Sequence, residues 1–116
     1  MGEIWEDSSD YIVGGTRFDA TMNYLLTVEV LSFAAGIHID PDHVVPNPAY
    51  SGVAPIDAAT YADRIDTLLA RYPMDTHMAN LNLLESHDTA RFLTPAGGDH
   101  ASLIRATLLT RTFPGA

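Results

Sequence analysis

Asn80-Leu-Asn-Leu-Leu-Glu-Ser-His-Asp-Thr-Ala-Arg-Phe-Leu93 joins a short apolar run to a pair of ionisable side chains. The leucines at positions 81, 83 and 84 are too few for a helix face and favour a short buried strand over 80–84. His87 and Asp88 follow that run almost directly. Because parallel α/β sheets build their active sites where strands end, this pair is a candidate site.

This stretch is the last of three motifs along the chain. Gly2-Glu3-Ile4-Trp5 comes first, and Phe18-Asp19-Ala20-x-Met22-Asn23-Tyr24 lies between it and Ser86-His87-Asp88-Thr89-x-Arg91-Phe92-Leu93. In this order the motifs resemble those of the α-amylase family of glycoside hydrolases. Within that family they resemble most closely the neopullulanases, cyclomaltodextrinases and maltogenic amylases, and the resemblance covers nearly the whole chain.

The resemblance implies an α/β fold that forms part of a (β/α)8 barrel, from the end of the fifth strand to the start of the eighth. We expect a helix-rich segment with two or three short parallel strands, over 17–23 and 80–84 among others. A chain of 116 residues with 47% hydrophobic residues can bury one core, so we expect a single domain over 1–116. A complete barrel typically needs about 250 residues.

The resemblance also implies roles for individual residues in hydrolysing an α-glucan oligosaccharide. Glu3 matches the family's general acid/base, Asp88 its third carboxylate, and His87 the neighbour that binds sugar hydroxyls. The remaining candidates are Trp5 as an aromatic platform for a sugar ring, and Arg91 and Asn23 as positioning groups. No cofactor and no metal is expected. Ser86 departs from the pattern, because the family usually has Asn before the His-Asp pair.

One motif resembles that of the family's nucleophile but stands in a different order along the chain. Gly15-Thr16-Arg17-Phe18-Asp19 matches the pattern Gly-x-Arg-x-Asp that marks the family's nucleophile. In the family that pattern precedes the Glu motif, whereas Asp19 follows Glu3. We therefore assign Asp19 a structural role, or that of an acid that supports the site residues from behind, and expect the nucleophile to be missing from this chain. Since covalent catalysis requires a nucleophile, we expect no useful hydrolase activity from the chain alone.

The charge and composition exclude several classes of partner. A net charge of -9, from 15 acidic against 6 basic residues, repels nucleic acid and anionic lipid, so we expect neither as a partner. The absence of cysteine excludes disulfides and thiolate sites. No apolar run approaches the roughly 20 residues of a membrane span. The acidic N-terminus does not resemble a signal peptide, which favours a cytoplasmic over a secreted location.

Three helices are predicted from apolar spacing and capping residues. The first covers Tyr24 to Ala35 and stops at Gly36. The second is capped by Asp57 and reaches about Tyr72, with an apolar stripe at positions 61, 65, 68, 69 and 72. The third follows Asp99 from about His100 to Arg111 and is expected to bury Leu103, Ile104, Ala106, Leu108 and Leu109.

Three alternatives to the hydrolase hypothesis stay open. His87-Asp88 can simply cap a following helix. The cluster His38-x-Asp40-x-Asp42-His43, in a proline-rich loop over 37–56, could bind a metal, but it lacks the glycine and terminal Glu of a calcium loop. Finally, a barrel segment exposes strand edges and helix faces, which predicts a non-catalytic module that self-associates into a homo-oligomer.

Overall fold

The computed structural model describes residues 1–12 and 17–116. Part of the Gly-x-Arg-x-Asp motif, at Gly15 and Thr16, therefore lies outside the described residues. Two short 3₁₀ turns lie at Gly36–His38 and Pro48–Tyr50. The α-helices are α1 (Ser9–Ile12), α2 (Tyr24–Ala35), α3 (Pro41–Val44), α4 (Ala58–Arg71), α5 (Met74–Ala79) and α6 (His100–Thr112).

The three predicted helices are confirmed by α2, α4 and α6, and their ends have clear causes. Asp57 accepts a hydrogen bond from the Thr60 N–H at 2.8 Å at the start of α4. Asp99 accepts one from the Ser102 N–H at 2.9 Å at the start of α6. These bonds satisfy backbone donors that have no partner within the helix. At the end of α2, Gly36 adopts φ +52°, a conformation that glycine reaches without strain.

The core is built around α2, which packs against α4 and α6. Leu26 and Val30 are fully buried on α2, and Leu68 of α4 and Ala106 of α6 belong to the same apolar cluster. Helix α2 is apolar nearly all round, which is typical of a helix that is enclosed by its neighbours. The stripe predicted along α4 is confirmed, since Leu68 is buried, Tyr61, Ile65 and Leu69 pack against the core, and Tyr72, directly after the helix, is buried.

The buried face predicted for α6 is partly wrong. Ile104 and Leu108 are 64% and 62% exposed. The face that α6 buries instead runs through Ser102, Ala106 and Thr110, which lie four residues apart and so share one side of the helix. These small and medium side chains allow α2 and α6 to approach closely, and they turn Ile104 and Leu108 away from the core.

The predicted strands over 17–23 and 80–84 are wrong, since no strand forms within 1–12 and 17–116. Single parallel bridges join Gly2 to Thr21 and Met22 to Leu81 instead. Little backbone is free to extend these bridges, because α5 ends at Ala79 and α2 begins at Tyr24. The predicted helix-rich character of the fold is confirmed.

The bridges nevertheless place several segments side by side in one direction. Leu81 N–H donates to Thr21 O at 3.1 Å, and Asn23 N–H donates to Leu81 O at 2.9 Å. On the other side of Leu81, Ala116 N–H donates to Asn80 O and Asn82 N–H donates to Ala116 O, each at 2.9 Å. Because the segments are parallel, their carboxyl ends meet at one edge.

Among the helices in the described parts of the chain, none combines the length and the apolar character that crossing a membrane requires.

Candidate functional site

Three of the predicted site residues meet at the edge where the parallel segments end. His87 Nε2 lies 3.7 Å from Glu3 Oε2 and 3.5 Å from Asp88 Oδ1. The side chains are accessible, with 70% of His87, 35% of Glu3 and 42% of Asp88 exposed. An imidazole between two carboxylates offers donors and acceptors to a ligand with many hydroxyl groups.

Glu3 is positioned by Gly2 and by a buried tyrosine. Gly2 pairs with Thr21, and a Cβ on Gly2 would lie 2.9 Å from Phe18 Cδ2, so a larger residue here would require the Phe18 ring to shift. The Tyr24 hydroxyl lies 2.8 Å from Glu3 Oε1. Tyr24 is the first residue of α2 and is 1% exposed, so it provides a fixed hydrogen-bond partner for an accessible carboxylate.

The pKa of the Tyr24 phenol is raised. Burial is the largest cause, and the neighbouring Glu3 carboxylate adds to it, while the hydrogen bond with Ser86 works in the opposite direction. Tyr24 therefore stays protonated at neutral pH and can donate to Glu3.

His87 and Asp88 lie on a turn that is held by hydroxyl and amide groups. Ser86 N–H donates to Thr89 Oγ1 at 2.7 Å, and Asp88 N–H donates to Ser86 Oγ at 3.1 Å. From the loop after α3, Asn47 Nδ2 donates to the Asp88 carbonyl at 3.1 Å. The backbone of the pair is thus fixed although its side chains are exposed. The alternative in which the pair caps a helix is not seen, because the next helix begins at His100.

Glu85 closes the other side of this turn. Its carboxylate accepts hydrogen bonds from the Phe92 N–H, at 2.8 Å, and from the Arg91 guanidinium. Partial burial raises the pKa of Glu85, but the bonds from Phe92 and Arg91 outweigh this and hold the pKa below its ordinary value. An ionised Glu85 therefore ties both ends of the turn together.

Glu3 and Asp88 line a cleft of about 720 Å³. Trp5 also lines it, is 38% exposed, and packs edge-to-face on Tyr24 with ring centroids 6.3 Å apart. The other lining residues are Ile4, Glu6, Tyr11, Pro48 and Ser51. An exposed aromatic face beside carboxylates suits a sugar, which has both apolar faces and hydroxyl groups.

The structure does not bring Arg91 and Asn23 into this cluster. The Arg91 side chain is 84% exposed and pairs with Glu85. Asn23 is 3% exposed and both ends of its amide are engaged, since Oδ1 accepts from Leu26 N–H and Nδ2 donates to Asn82 Oδ1 at 2.9 Å. In this arrangement Asn23 caps α2.

Asp19 and the His38 to His43 cluster also lie elsewhere. Asp19 lines a separate cleft with Asp75. His43 Nε2 lies 3.9 Å from Asp40 Oδ2, and Asp40 caps α3 through the Asp42 N–H. In the described ranges, the grouping of three possible metal ligands is Glu3, His87 and Asp88, within 4.8 Å of one another. Its members are accessible, and such acidic groups commonly cluster without an ion, so we assign no metal.

The sequence motifs contained Tyr24 but gave no reason to assign it a role. Its hydroxyl becomes part of the site only because the first turn of α2 faces the segments that carry Glu3 and Ser86. The detectable signal was its position, one residue after a candidate parallel segment.

Comparison with known proteins finds relatives over almost the whole chain. No family model matches. Neopullulanase 2 of Thermoactinomyces vulgaris is 35% identical over 119 residues, which cover 99% of this chain and 17% of that protein. Cyclomaltodextrinase of Geobacillus thermopakistaniensis (strain MAS1) is 36% identical over 115 residues, which cover 99% and 16%. The chain thus spans about a sixth of the length of these relatives.

Solved structures are also similar to this chain over almost its whole length. The acarbose-soaked debranching enzyme of Nostoc punctiforme is 46% identical, with a TM-score of 0.92 over 99% of this chain and 24% of that one. Ttha1563 from Thermus thermophilus is 33% identical, with a TM-score of 0.89 over the same shares. Over the segment that it spans, the chain belongs to the α-amylase family of glycoside hydrolases, in the group of neopullulanases, cyclomaltodextrinases and maltogenic amylases.

Proposed function

We propose that this chain supplies the acid/base and sugar-binding part of the active site of an α-glucan hydrolase. The observation that carries the proposal is the convergence of Glu3, His87 and Asp88 within 4.8 Å. The names of the relatives refer to pullulan and cyclomaltodextrin, so we propose α-1,4-linked glucans as substrates. We further propose that the chain forms one domain and corresponds to part of a catalytic barrel, from the end of its fifth strand to the start of its eighth.

In this proposal Glu3 protonates the glycosidic oxygen of the leaving group. Its Oε1 is engaged by Tyr24, whereas Oε2 faces His87, so Oε2 is the oxygen that reaches the substrate. Asp88 accepts hydrogen bonds from hydroxyls of the distorted sugar, and His87 donates a hydrogen bond to one of them. Trp5 stacks on the ring of a neighbouring sugar unit. Retaining hydrolysis also needs a second carboxylate that attacks the anomeric carbon.

We propose that no residue of this chain supplies that nucleophile. A carboxylate oxygen of Glu3 lies within 4.8 Å of one of Asp88, and the two carboxyl groups of retaining enzymes are about 5 to 5.5 Å apart. However, the motif of Asp88 matches the family's third carboxylate, which binds hydroxyls. The chain on its own is therefore expected to bind oligosaccharide without cleaving it.

Release of reducing sugar from maltodextrin and cyclomaltodextrin tests this expectation. We expect none above a buffer blank. Release that disappears in both Glu3→Gln and Asp88→Asn would contradict it, because the chain would then hold every group that the reaction needs. Release that persists in both variants would indicate a contaminating hydrolase.

Binding is tested through Trp5, which is the single tryptophan of the chain and lines the cleft. Titration with acarbose is expected to change its fluorescence until the change saturates at millimolar acarbose. Asp88→Asn should weaken this response several-fold, while the control Asp63→Asn, an exposed site on α4, should not. An unchanged fluorescence in the wild-type chain would contradict the proposed function.

Self-association is a second candidate function, and one observation favours it. Ile104 and Leu108 are exposed on α6, beside a groove of about 660 Å³ between α6 and residues 81–85. Burying such an apolar surface is favourable, so we propose that a second copy of the chain covers it. The net charge of -9 opposes association, and salt should therefore promote it.

Light scattering after size exclusion tests this candidate. An oligomer that becomes monomeric in Ile104→Ser/Leu108→Ser, with helix content unchanged, would support it. A wild-type monomer at millimolar concentration and high salt would exclude it.

A further inference from the structure

Hydrogen bonds through two hydroxyl groups connect the two carboxylate-bearing residues of the site. Asp88 N–H donates to Ser86 Oγ at 3.1 Å. Ser86 Oγ lies 2.8 Å from the Tyr24 hydroxyl, which in turn lies 2.8 Å from Glu3 Oε1. We call Ser86 and Tyr24 the hydroxyl pair.

The donors and acceptors fix the direction of these bonds. A backbone amide can only donate, and the unprotonated oxygen of a carboxyl group can only accept. A phenol carries one proton, so when Tyr24 donates to Glu3 it must accept from the hydroxyl of Ser86. Ser86 can do this because its oxygen accepts from Asp88 N–H while its proton is free. Every group in the sequence of bonds is then satisfied.

The hydroxyl pair rests on a rigid support. Tyr24 is 1% exposed, and its ring is packed by Trp5 at a centroid distance of 6.3 Å. One turn further along α2, Thr27 Oγ1 donates to Leu83 O at 2.8 Å, which fixes α2 against the segment leading to Ser86. Neither hydroxyl can therefore move far, whereas Glu3 itself is accessible.

We infer that Tyr24 and Ser86 are positioning residues, which hold the Glu3 carboxylate by Oε1 and leave Oε2 directed toward His87 and the cleft. This inference rests on the proposed function, in which Glu3 protonates the leaving group. It also gives a role to Ser86, which stands where the family usually has Asn. A serine hydroxyl accepts and donates through one atom, whereas the amide of the family's usual Asn would divide these tasks between two.

The test is a pH titration of the full chain labelled with ¹³Cζ-tyrosine and followed by NMR. Tyr24→Phe identifies the Tyr24 signal. Glu3→Gln removes a carboxylate that raises the Tyr24 pKa, so this pKa should fall. Ser86→Ala removes a hydrogen bond that lowers it, so the pKa should rise, and Ser86→Thr should restore it. Tyr61, whose pKa burial also raises, serves as an internal control and should not move.

Opposite shifts of Tyr24 in the two variants support the inference, since a merely structural role would not couple the phenol to both partners with opposite sign. An unmoved Tyr24, or shifts in the same direction, would overturn it. If alkali unfolds the chain first, the ¹³Cζ chemical shift of Tyr24 at pH 7 decides by the same comparison. It should change in both Glu3→Gln and Ser86→Ala and be restored in Ser86→Thr, and its constancy would overturn the inference.

Acarbose binding, followed by Trp5 fluorescence, separates this inference from the proposed function. Ser86→Ala should weaken binding by about three- to tenfold, which corresponds to the loss of roughly one hydrogen bond. Unaltered affinity in Ser86→Ala would overturn the positioning role. If the wild-type chain fails to bind acarbose, the proposed function fails, while the tyrosine titration still decides whether the hydroxyl pair holds Glu3.

Discussion

The Tyr72 hydroxyl, directly after α4, holds the acidic N-terminal segment in place together with an ion pair between Arg71 and Asp7. Tyr72 Oη accepts hydrogen bonds from Ser8 N–H at 3.0 Å and Ser8 Oγ at 2.9 Å, and it lies 3.2 Å from Asp7 Oδ1 as donor. Ser8 is 2% exposed, so water cannot replace these bonds. The segment from Glu3 to Asp7 leads directly to this point, and the position of Glu3 therefore depends on it.

Tyr72→Phe should lower the free energy of unfolding by about 1 to 3 kcal/mol, because buried donors on Ser8 lose their acceptor. Urea unfolding followed by circular dichroism measures the change. The matched control is Tyr61→Phe, which keeps the ring stacked on Phe33 at 4.6 Å and should cost roughly 0.5 kcal/mol or less. Equal losses in the two variants would show that the Tyr72 hydroxyl has no special role.

Two glycines allow the cost of a positive φ to be compared with the cost of a steric clash. Gly97 has φ +59°, and a Cβ there would lie 2.6 Å from the His38 carbonyl oxygen. Gly52 has φ +89°, but nothing lies within 4 Å of its Cβ position. Gly52→Ala should therefore cost about 1 kcal/mol from φ alone. Gly97→Ala should cost about 3 kcal/mol, because the loop at His38 must also move. Urea unfolding midpoints that rank the two variants in the reverse order would contradict the described packing.

At the residue scale, sequence could identify which side chains are candidates but only partly how they meet. Glu3 and His87 are far apart along the chain, and their proximity was implied by the order of three motifs. Tyr24 could not be assigned, because the direction of its hydroxyl depends on how α2 packs. The motif predicts a positioning role for Asn23, but a capping side chain and a ligand-binding side chain look the same in sequence.

At the element scale, helices α4 and α6 are each capped by a titratable aspartate, Asp57 and Asp99. The Thr60 N–H lowers the pKa of Asp57, and the Ser102 hydroxyl, followed by its N–H, lowers the pKa of Asp99. For a group whose folded pKa lies below the unfolded value of about 3.8, the stabilisation is present above pH 3.8 and is lost as pH falls through the folded pKa.

Thermal unfolding midpoints should accordingly be nearly constant above about pH 5 and fall below pH 3.8, the unfolded value of both aspartates. The double variant Asp57→Asn/Asp99→Asn keeps two good capping side chains but removes their titration. Its midpoint should fall less between pH 4 and pH 2 than that of the wild type. Identical pH profiles would mean that other carboxylates account for the acid sensitivity.

The elements show which sequence signals are reliable in this chain. Caps at Asp57 and Asp99 and the stop at Gly36 are local, and they predicted α2, α4 and α6 closely. Strand extent is not local, because it depends on how many residues of two distant segments can pair. The buried face of α6 is not a local property either: apolar spacing predicts that positions 104 and 108 are buried, whereas the helix buries Ser102 and Ala106.

At the scale of the whole molecule, the parallel segments and the site are connected. Gly2, Thr21, Met22 and Leu81 pair in parallel, so the residues that follow each of them gather at one edge. Glu3, Tyr24 and the turn at Ser86 all lie there. The helices α2, α4 and α6 supply the core that holds these segments in register. The candidate site residues thus lie where the parallel segments end, and the central claim is that this edge binds an α-glucan.

The most direct test is an amide and indole NMR spectrum of the chain recorded with and without saturating acarbose. We expect the largest shifts at Glu3, Trp5, His87 and Asp88, and we expect them to weaken in Asp88→Asn. Signals from α4, such as those of Asp63 and Asp66, should stay in place. Shifts confined to other surfaces, or no shifts at millimolar acarbose, would contradict the claim that Glu3, His87 and Asp88 form a sugar-binding site.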